Sequence, residues 1–491
     1  MNRRIGSISR RILAALAFAF LPHLAKADVL DIGTDYRLRW ISINRADYGL
    51  NAGQNFEYFS QRAQAHIGAQ LTPNIELMTQ FQALGVLGSS GSLTNPAINP
   101  SGSRYPNHNF QPWIQNAYLK AKHIYDTSID LTVGRQPIVL GDGFILDDDD
   151  LGFTGIRAQS PLPVWGLQGD AFVFKVDNGF QFSNGANIYG VEITKPQRAV
   201  RYQVSVIDEQ DTTGTLYIRP SENASQGNPK YQALYNGAPP PINSVFNFNA
   251  TNISRQLYDA RVEGRLLEGG FYKIEGALQS GNVSRDPSLA TSTAAALGYS
   301  PSVTLSGYGF LVSAGLFTRI SKYGPIEIHG SFGIASGDSG TGSKDNSFRP
   351  DFGHQYDGLE RSGFGEYYGA TLYNAQPSFS YNQLASSPSV SGLPPGFSGI
   401  RVIGAGVTTH PTDLLSIGID YFVYTAQETA GSNFTLTSSD SSLGTELDVG
   451  AGFAYTSYLN FRGSFALFSP GAAYVNRSNA TRILVEAIGR F

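Results

Sequence analysis

The chain has 491 residues, 35 basic against 39 acidic, so at −4 overall it offers no broad positive surface for nucleic acid. It has no cysteine, which excludes a disulfide scaffold and a lipid-anchored lipoprotein alike. With 55 glycines, 12% aromatic residues and only 2 methionines, it suits many strands joined by polar loops.

In chain order, the first element is a secretory leader over residues 1–27. Arg3, Arg4, Arg10 and Arg11 form its positive region, Ile12 to Leu21 its apolar core, and Ala25-Lys26-Ala27 its cleavage site. Ser9-Arg10-Arg11-Ile12-Leu13 also resembles a twin-arginine signal. That route carries folded cargo, whereas a membrane barrel must arrive unfolded, so the ordinary secretory reading is preferred. Removing the leader's five cations leaves 30 basic residues against 39 acidic, a mature charge of −9. Past the leader no apolar run approaches a membrane-spanning helix in length, and residues 28–491 read as one domain.

Period-two runs bounded by turn residues predict eighteen strands, near 35–43, 56–71, 75–85, 111–122, 128–136, 152–158, 165–176, 186–194, 199–208, 254–266, 269–281, 304–318, 325–335, 399–409, 414–425, 444–456, 458–468 and 481–491. Short links such as Thr72-Pro73-Asn74 and His410-Pro411-Thr412-Asp413 follow even-numbered strands, while long ones such as 86–110, 209–253 and 336–398 follow odd-numbered strands. Short periplasmic turns, long outer loops and both termini in the periplasm are the outer-membrane arrangement. A secreted β-helix or propeller would carry a fixed-length repeat, and none is present. The expected fold class is therefore all-β, a transmembrane antiparallel barrel.

The faces say which side meets lipid. In 56–71, Ala63, Ala65, Ile67, Ala69 and Leu71 alternate with Arg62, Gln64, His66 and Gln70. In 254–266, Tyr258, Ala260 and Val262 alternate with Asp259, Arg261, Glu263 and Arg265, and 269–281 sets Tyr272, Ile274 and Leu278 against Lys273, Glu275 and Gln279. Leu119 and Ala121 oppose Lys120 and Lys122, and Phe461 and Phe465 oppose Arg462. A lysine or arginine facing lipid at the midplane costs about 2–4 kcal/mol, so the charged faces point into the lumen. Two readings of that lining stay open. The cations pair with neighbouring acids and stiffen the wall, or some form a stepping path for anions, since guanidinium matches carboxylate bidentately.

Asp147, Asp148, Asp149 and Asp150 form a run in the third long link, read as a solvated acidic loop, a calcium site or an inward-folded constriction. The seven histidines are scattered, and no phosphate loop or nucleophile elbow is present. Nothing in the chain asks for catalysis or a cofactor. Phe491 closes the last predicted strand, where a terminal aromatic resembles the signal read by the barrel assembly machinery.

Several segments resemble the alginate export family of outer-membrane porins. Val133-Gly134-Arg135-Gln136 is similar to its F-G-R-Q element, and Gly363-Phe364-Gly365-Glu366 to an F-G-E element in its long seventh loop. Gly444-Thr445-Glu446-Leu447-Asp448 resembles its G-x-E-L-D strand, and Phe461-Arg462-Gly463 through Pro470-Gly471-Ala472-Ala473-Tyr474 to Arg490-Phe491 resembles its F-R-G…P-G-D-A-Y…R-F close. The resemblance implies an eighteen-stranded barrel and export of an anionic polysaccharide, in contact with a periplasmic export scaffold. Two departures stand out: Ala472 replaces the family's aspartate, and Tyr455-Thr456-Ser457-Tyr458 is too short for a periplasmic plug between strands sixteen and seventeen.

The expected function is an outer-membrane channel, embedded in lipid, that exports an alginate-like polysaccharide past Arg62, Lys120, Lys122, Arg135, Arg261, Arg265, Lys273 and Arg462. The alternatives are a porin taking up small anionic solutes, and a structural or adhesin-like barrel whose loops 209–253 and 336–398 bind outside.

Overall fold

The computed structural model describes residues 29–44, 56–87, 110, 112–141, 143–148, 151–176, 185–196, 199–212, 250–266, 269–285, 300–320, 324–338, 343–350, 352–353, 398–429, 439–474 and 477–491. The leader 1–27 and the F-G-E element lie outside them, as do Asp149 and Asp150.

Eighteen long strands form the wall: β1 (Val29–Asn44), β2 (Phe56–Thr72), β3 (Ile75–Val86), β4 (Trp113–Ala121), β5 (Asp130–Gln136), β6 (Phe153–Pro161), β7 (Gln168–Val176), β8 (Ala186–Pro196), β9 (Val200–Asp211), β10 (Ala250–Leu266), β11 (Gly270–Arg285), β12 (Ser302–Ile320), β13 (Gly324–Ala335), β14 (Ser398–Thr412), β15 (Leu415–Glu428), β16 (Ser442–Ala454), β17 (Leu459–Pro470) and β18 (Ala480–Arg490). Each pairs antiparallel with its sequence neighbours, for instance Ala63 opposite Ala83 and Val262 opposite Ile274. β18 returns to β1, from Asp35 opposite Arg490 to Asn44 opposite Thr481. Thr34 and Phe491 exchange backbone hydrogen bonds of 2.8 and 2.9 Å beyond that ladder. The sheet therefore has no free edge, which is what a strand-built wall needs in hydrocarbon, where an unpaired backbone group costs several kcal/mol.

Outward positions carry the large apolar side chains. Ile156, Val173, Val191, Leu278, Leu316, Ile328, Ile403, Ile419, Val449 and Val485 are all exposed, on strands all around the wall. In water this surface would be an aggregation hazard; as a continuous belt it is the lipid-facing surface of a bacterial outer-membrane barrel.

Every predicted strand is present. Several run past their predicted ends; among them the neighbours β10, β11 and β12 span 17, 16 and 19 residues. Their added outward positions include Asn252, Asn282, Ser284 and Ser302, polar groups that erase the apolar alternation beyond the lipid while the backbone ladder continues. Three consecutive strands thus stand taller on one side of the wall than hydropathy reveals.

Candidate functional site: the lumen and its two walls

The third long link does not stay outside. Val139–Leu140 pairs with Leu146–Asp147 in a small separate hairpin, and its side chains Ile138, Leu140, Phe144, Ile145 and Leu146 are at most 2% exposed. It starts at β5 yet reaches β10 to β12. A Cβ built on Gly141 would meet Glu275 and Arg261, and one on Gly309 would meet the Phe144 ring. Gly141 sits at φ +61°, a left-handed conformation that glycine adopts without steric cost.

Asp148 holds this crossing segment. It is buried, its Oδ1 accepts from the Ile138 amide at 3.0 Å and its Oδ2 from the Gly152 amide at 2.7 Å. Both oxygens thus serve the loop's own backbone, and among the described residues no group of three or more acids or histidines has metal-holding geometry. Asp147 is half-buried, and its amide donates to the Phe352 carbonyl at 2.6 Å. That bond joins the crossing segment to a second inward stretch, 343–353, from the seventh long link. Lys344 and Asp345 there pair with Thr304 and Leu305 of β12, and the Arg349 amide donates to Gln279 Oε1 at 2.9 Å.

The two stretches pack into the sector of wall formed by β6 to β12. Phe144 lies 5.1 Å from Phe348, and Phe153 lies 5.7 Å from Phe352 and 6.0 Å from Phe174. Ile188, Ile207 and Leu257 complete an apolar interior on what sequence alone reads as a water-facing side. The charges here are buried and paired. Arg255 Nη1 meets Glu209 at 2.8 Å, and Arg261 bonds Glu263 at 2.6 Å and lies 3.8 Å from Glu275. Arg349 pairs with Asp345.

Across the barrel, β17, β18, β1 and β2 present a different lining. Arg462, Arg482, Arg37, Arg39 and Arg62 face inward there. Glu486, opposite both Arg39 and Arg462 in the strand register, is the one carboxylate set among them within the described residues. Arg39 pairs with Glu486, and Arg37 approaches the same carboxylate at 3.8 Å. The next acids on these strands, Asp31 and Asp35, lie at the rim that carries the chain ends, where Asp35 takes Arg490 at 3.1 Å. Above this wall the chain after β17 tucks inward, the Ala473 amide donating to the Ser442 carbonyl at 2.9 Å. Tyr474 is buried there against Phe468, and burial pushes its phenol well above the ordinary value.

The sequence-predicted residues fall into distinct places. Arg62 and Arg462 belong to the arginine-rich wall. Lys120 lies 3.3 Å from Asp130, and Lys122 pairs with Glu76, both at the short-turn rim. Arg261 belongs to the paired, packed sector, and half-buried Lys273 stands opposite Glu263 there. Arg265 is exposed at the end of β10. Arg135 stands opposite Ala117 and Thr154, and its Nε donates to the carbonyls of Gln115 and Leu151 at 3.0 and 2.8 Å. It clasps the end of the crossing segment to the wall. Phe491 is 76% exposed on the outer face. Sequence reading missed Arg37, Arg39, Arg482 and Glu486 as a cluster, because only closure of β1 on β18 brings them together.

No protein-family profile and no curated protein matches the chain. Solved outer-membrane porins match its fold along nearly the whole length. OccAB2 of Acinetobacter baumannii has a TM-score of 0.52 at 11% identity, covering 94% of this chain and 98% of that one. OccK8 (OprE) of Pseudomonas aeruginosa has 0.51 at 11%, covering 95% and 99%. OpdK of Pseudomonas aeruginosa, solved with vanillate, has 0.50 at 13%, covering 94% and 99%. At these identities the likeness is one of fold.

These neighbours overturn the alginate-export resemblance. Those of its motifs that lie among the described residues serve local backbone geometry. Gly134 and Gly444 hold φ of +127° and +128°, where a Cβ would strike the Ala117 and Ser469 carbonyls, and Pro470 to Tyr474 forms the inward tuck. Such constraints belong to a barrel wall and carry no information about cargo. What stands is an outer-membrane barrel of the porin architecture.

Proposed function

We propose that this channel admits small anionic solutes, carboxylates above all, along the wall formed by β17, β18, β1 and β2. The observation that carries the reading is the concentration of cations there: five arginines face inward on these four strands, and Arg37 and Arg39 approach Glu486. Guanidinium groups bind carboxylate through parallel N–H donors, and a row of them lowers the cost of leaving bulk water without a single deep well. The presence of vanillate, a small aromatic carboxylate, in the OpdK structure is consistent with this class of solute. The inward segments 137–148 and 343–353 narrow the lumen, which suits a small solute and disfavours a polymer. In this reading residues 1–27 are the export leader, the short-turn rim faces the periplasm, and Phe491 is recognised during assembly.

The test is the reversal potential of the purified barrel in a planar bilayer under a potassium chloride gradient. The expected result is anion selectivity that falls when Arg39 and Arg462 are both exchanged for Gln, with benzoate slowing chloride current more than benzylammonium does. A cation-selective wild type would overturn the proposal.

A further inference from the structure

On the lipid-facing side, the long-link end of β9 to β12 carries a polar surface beyond the apolar belt. The belt reaches a row in which Val206, Tyr258, Leu278 and Tyr308 stand opposite one another on successive strands, all of them exposed. The two tyrosines hold the place of an interfacial aromatic girdle. Two residues further along, the outward row is Asp208, Gln256, Ser280 and Ser306, and the next is Gln210, Ser254, Asn282 and Thr304. A third row follows, of Asn252, Ser284 and Ser302. The neighbouring strand β13 ends its outward side on Phe332 and Ile334, with no such extension.

Height and chemistry together say what this surface meets. The stretch from Tyr258 to Asn252 covers about 20 Å of strand at about 3.3 Å per residue. For a strand tilted by about 40° that is about 15 Å along the membrane normal. A phospholipid headgroup layer is only about 5–8 Å deep on each side, so the upper rows rise clear of it. A surface that faces water alone carries about a quarter to a third of charged residues. Of the eleven side chains in the three rows only Asp208 is charged, and the amides of Gln210 and Gln256 donate to it at 3.0 and 2.8 Å. Amides and hydroxyls without net charge complement the hydroxyls of neutral sugars. They offer a phosphate no cation; the middle row meets one only at its margin, where it runs through Asn187 to exposed Lys175 on β7. Behind the face, Ile253, Val283, Val303 and Leu305 form a buried cluster on the inner side, so packing backs the ladder.

We propose that this tall face binds the neutral sugar units of an outer-leaflet glycolipid whose acyl chains lie on the apolar belt below. The inference rests on the orientation proposed above, with the long links outside, and not on the anion reading. In the test, the intact purified barrel is mixed in detergent with equal amounts of two probes. One is rough lipopolysaccharide carrying its core sugars, the other its lipid A anchor alone, and native mass spectrometry counts what each barrel retains. The expected result is retention of the core-bearing form about tenfold over the anchor. That ratio is about 1.4 kcal/mol, which one or two neutral hydrogen bonds supply net. Exchanging Ser254 and Asn282 for Leu should bring the ratio to about one, since it removes the middle of the face at positions that point away from the packed interior.

Folding of the double variant is checked by the heat-dependent shift of the barrel on a gel. Equal retention of the two probes by the wild type, or a preference that survives the leucine exchange, would overturn the proposal. So would a disulfide-linked dimer formed in native membranes by Thr304→Cys, which would assign the face to a second copy of the chain. The orientation is tested separately at Thr212, exposed just past the long-link end of β9. Thr212→Cys, in a chain with no other cysteine, should react with a membrane-impermeant maleimide in intact cells. Reaction only after the outer membrane is permeabilised would overturn the orientation, and with it the outer-leaflet partner, whatever the retention ratio.

Discussion

Two arcs of one wall, each with alternating charged and apolar residues in its strands, end in opposite physical states. From β6 to β12 the inward face is covered by stretches of the third and seventh long links, and its charges are held in buried pairs and clusters, as in Arg255 with Glu209 and Arg261 with Glu263 and Glu275. From β17 through β2 five arginines stand around Glu486; Arg37 and Arg482 are buried, while Arg462 is exposed. A charged inward face is therefore not in itself a solute path. What decides is whether a loop covers it, and a covered charge serves stability where an uncovered one serves selectivity.

The contrast can be broken at its strongest point first. Exchanging Arg255 for Met leaves Glu209 buried without its cation, at a cost of about 3–5 kcal/mol. The temperature at which the SDS-resistant band is lost should drop sharply, and the double exchange with Glu209→Leu should recover most of it. A single exchange that leaves the band unchanged would mean that the covered sector does not depend on its charge pairs.

The next largest effect belongs to Asp148, whose carboxylate closes the crossing segment through two amides. Hydrogen bonds to a charged group contribute about 1.5–3 kcal/mol, so Asp148→Asn should loosen the segment without dissolving the wall. Single-channel conductance should rise and become noisier while the gel shift persists. Unaltered conductance would place the segment away from the ion path.

The smallest stability effect is expected at Arg462. Its side chain is exposed, and exposed ion pairs are worth about 0–1 kcal/mol. Arg462→Gln should therefore leave the loss temperature of the band within a degree or two while the reversal potential moves. A marked drop in that temperature would make Arg462 a wall residue like Arg255.

Sequence legibility divides along the same line. The wall was readable because lipid outside and water inside impose a period of two on each strand, and the short and long links mark the rims. Phe491, Val485 and Ile483 fall on one face and Glu486 and Arg482 on the other, as their spacing dictates. An inward fold was one of three readings of the stretch at Asp147, but its packing was not readable, since Phe144 and Ile145 in a loop carry no periodicity that says which strand they pack on. Arg261 and Arg462 look alike in their strands, and only the segment touching Glu275 separates a covered charge from an exposed one. The backbone contacts of Arg135 were unreadable for a related reason. It sits in a regular strand pattern, but Gly134 at φ +127° and the loop end at Leu151 give its guanidinium a backbone to hold.

The absence of cysteine from the chain permits the most direct test of the two arcs. Ser464 lies beside Arg462 in the uncovered arc, and Ser205 lies on the inward face of β9 at 1% exposure. Each is exchanged singly for cysteine, and the current is followed while a small anionic thiol reagent is added to the bilayer chamber. The account predicts stepwise block at position 464 and no reaction at position 205. Equal reaction at both positions, or reaction at 205 alone, would contradict the claim that solutes pass along the arginine wall.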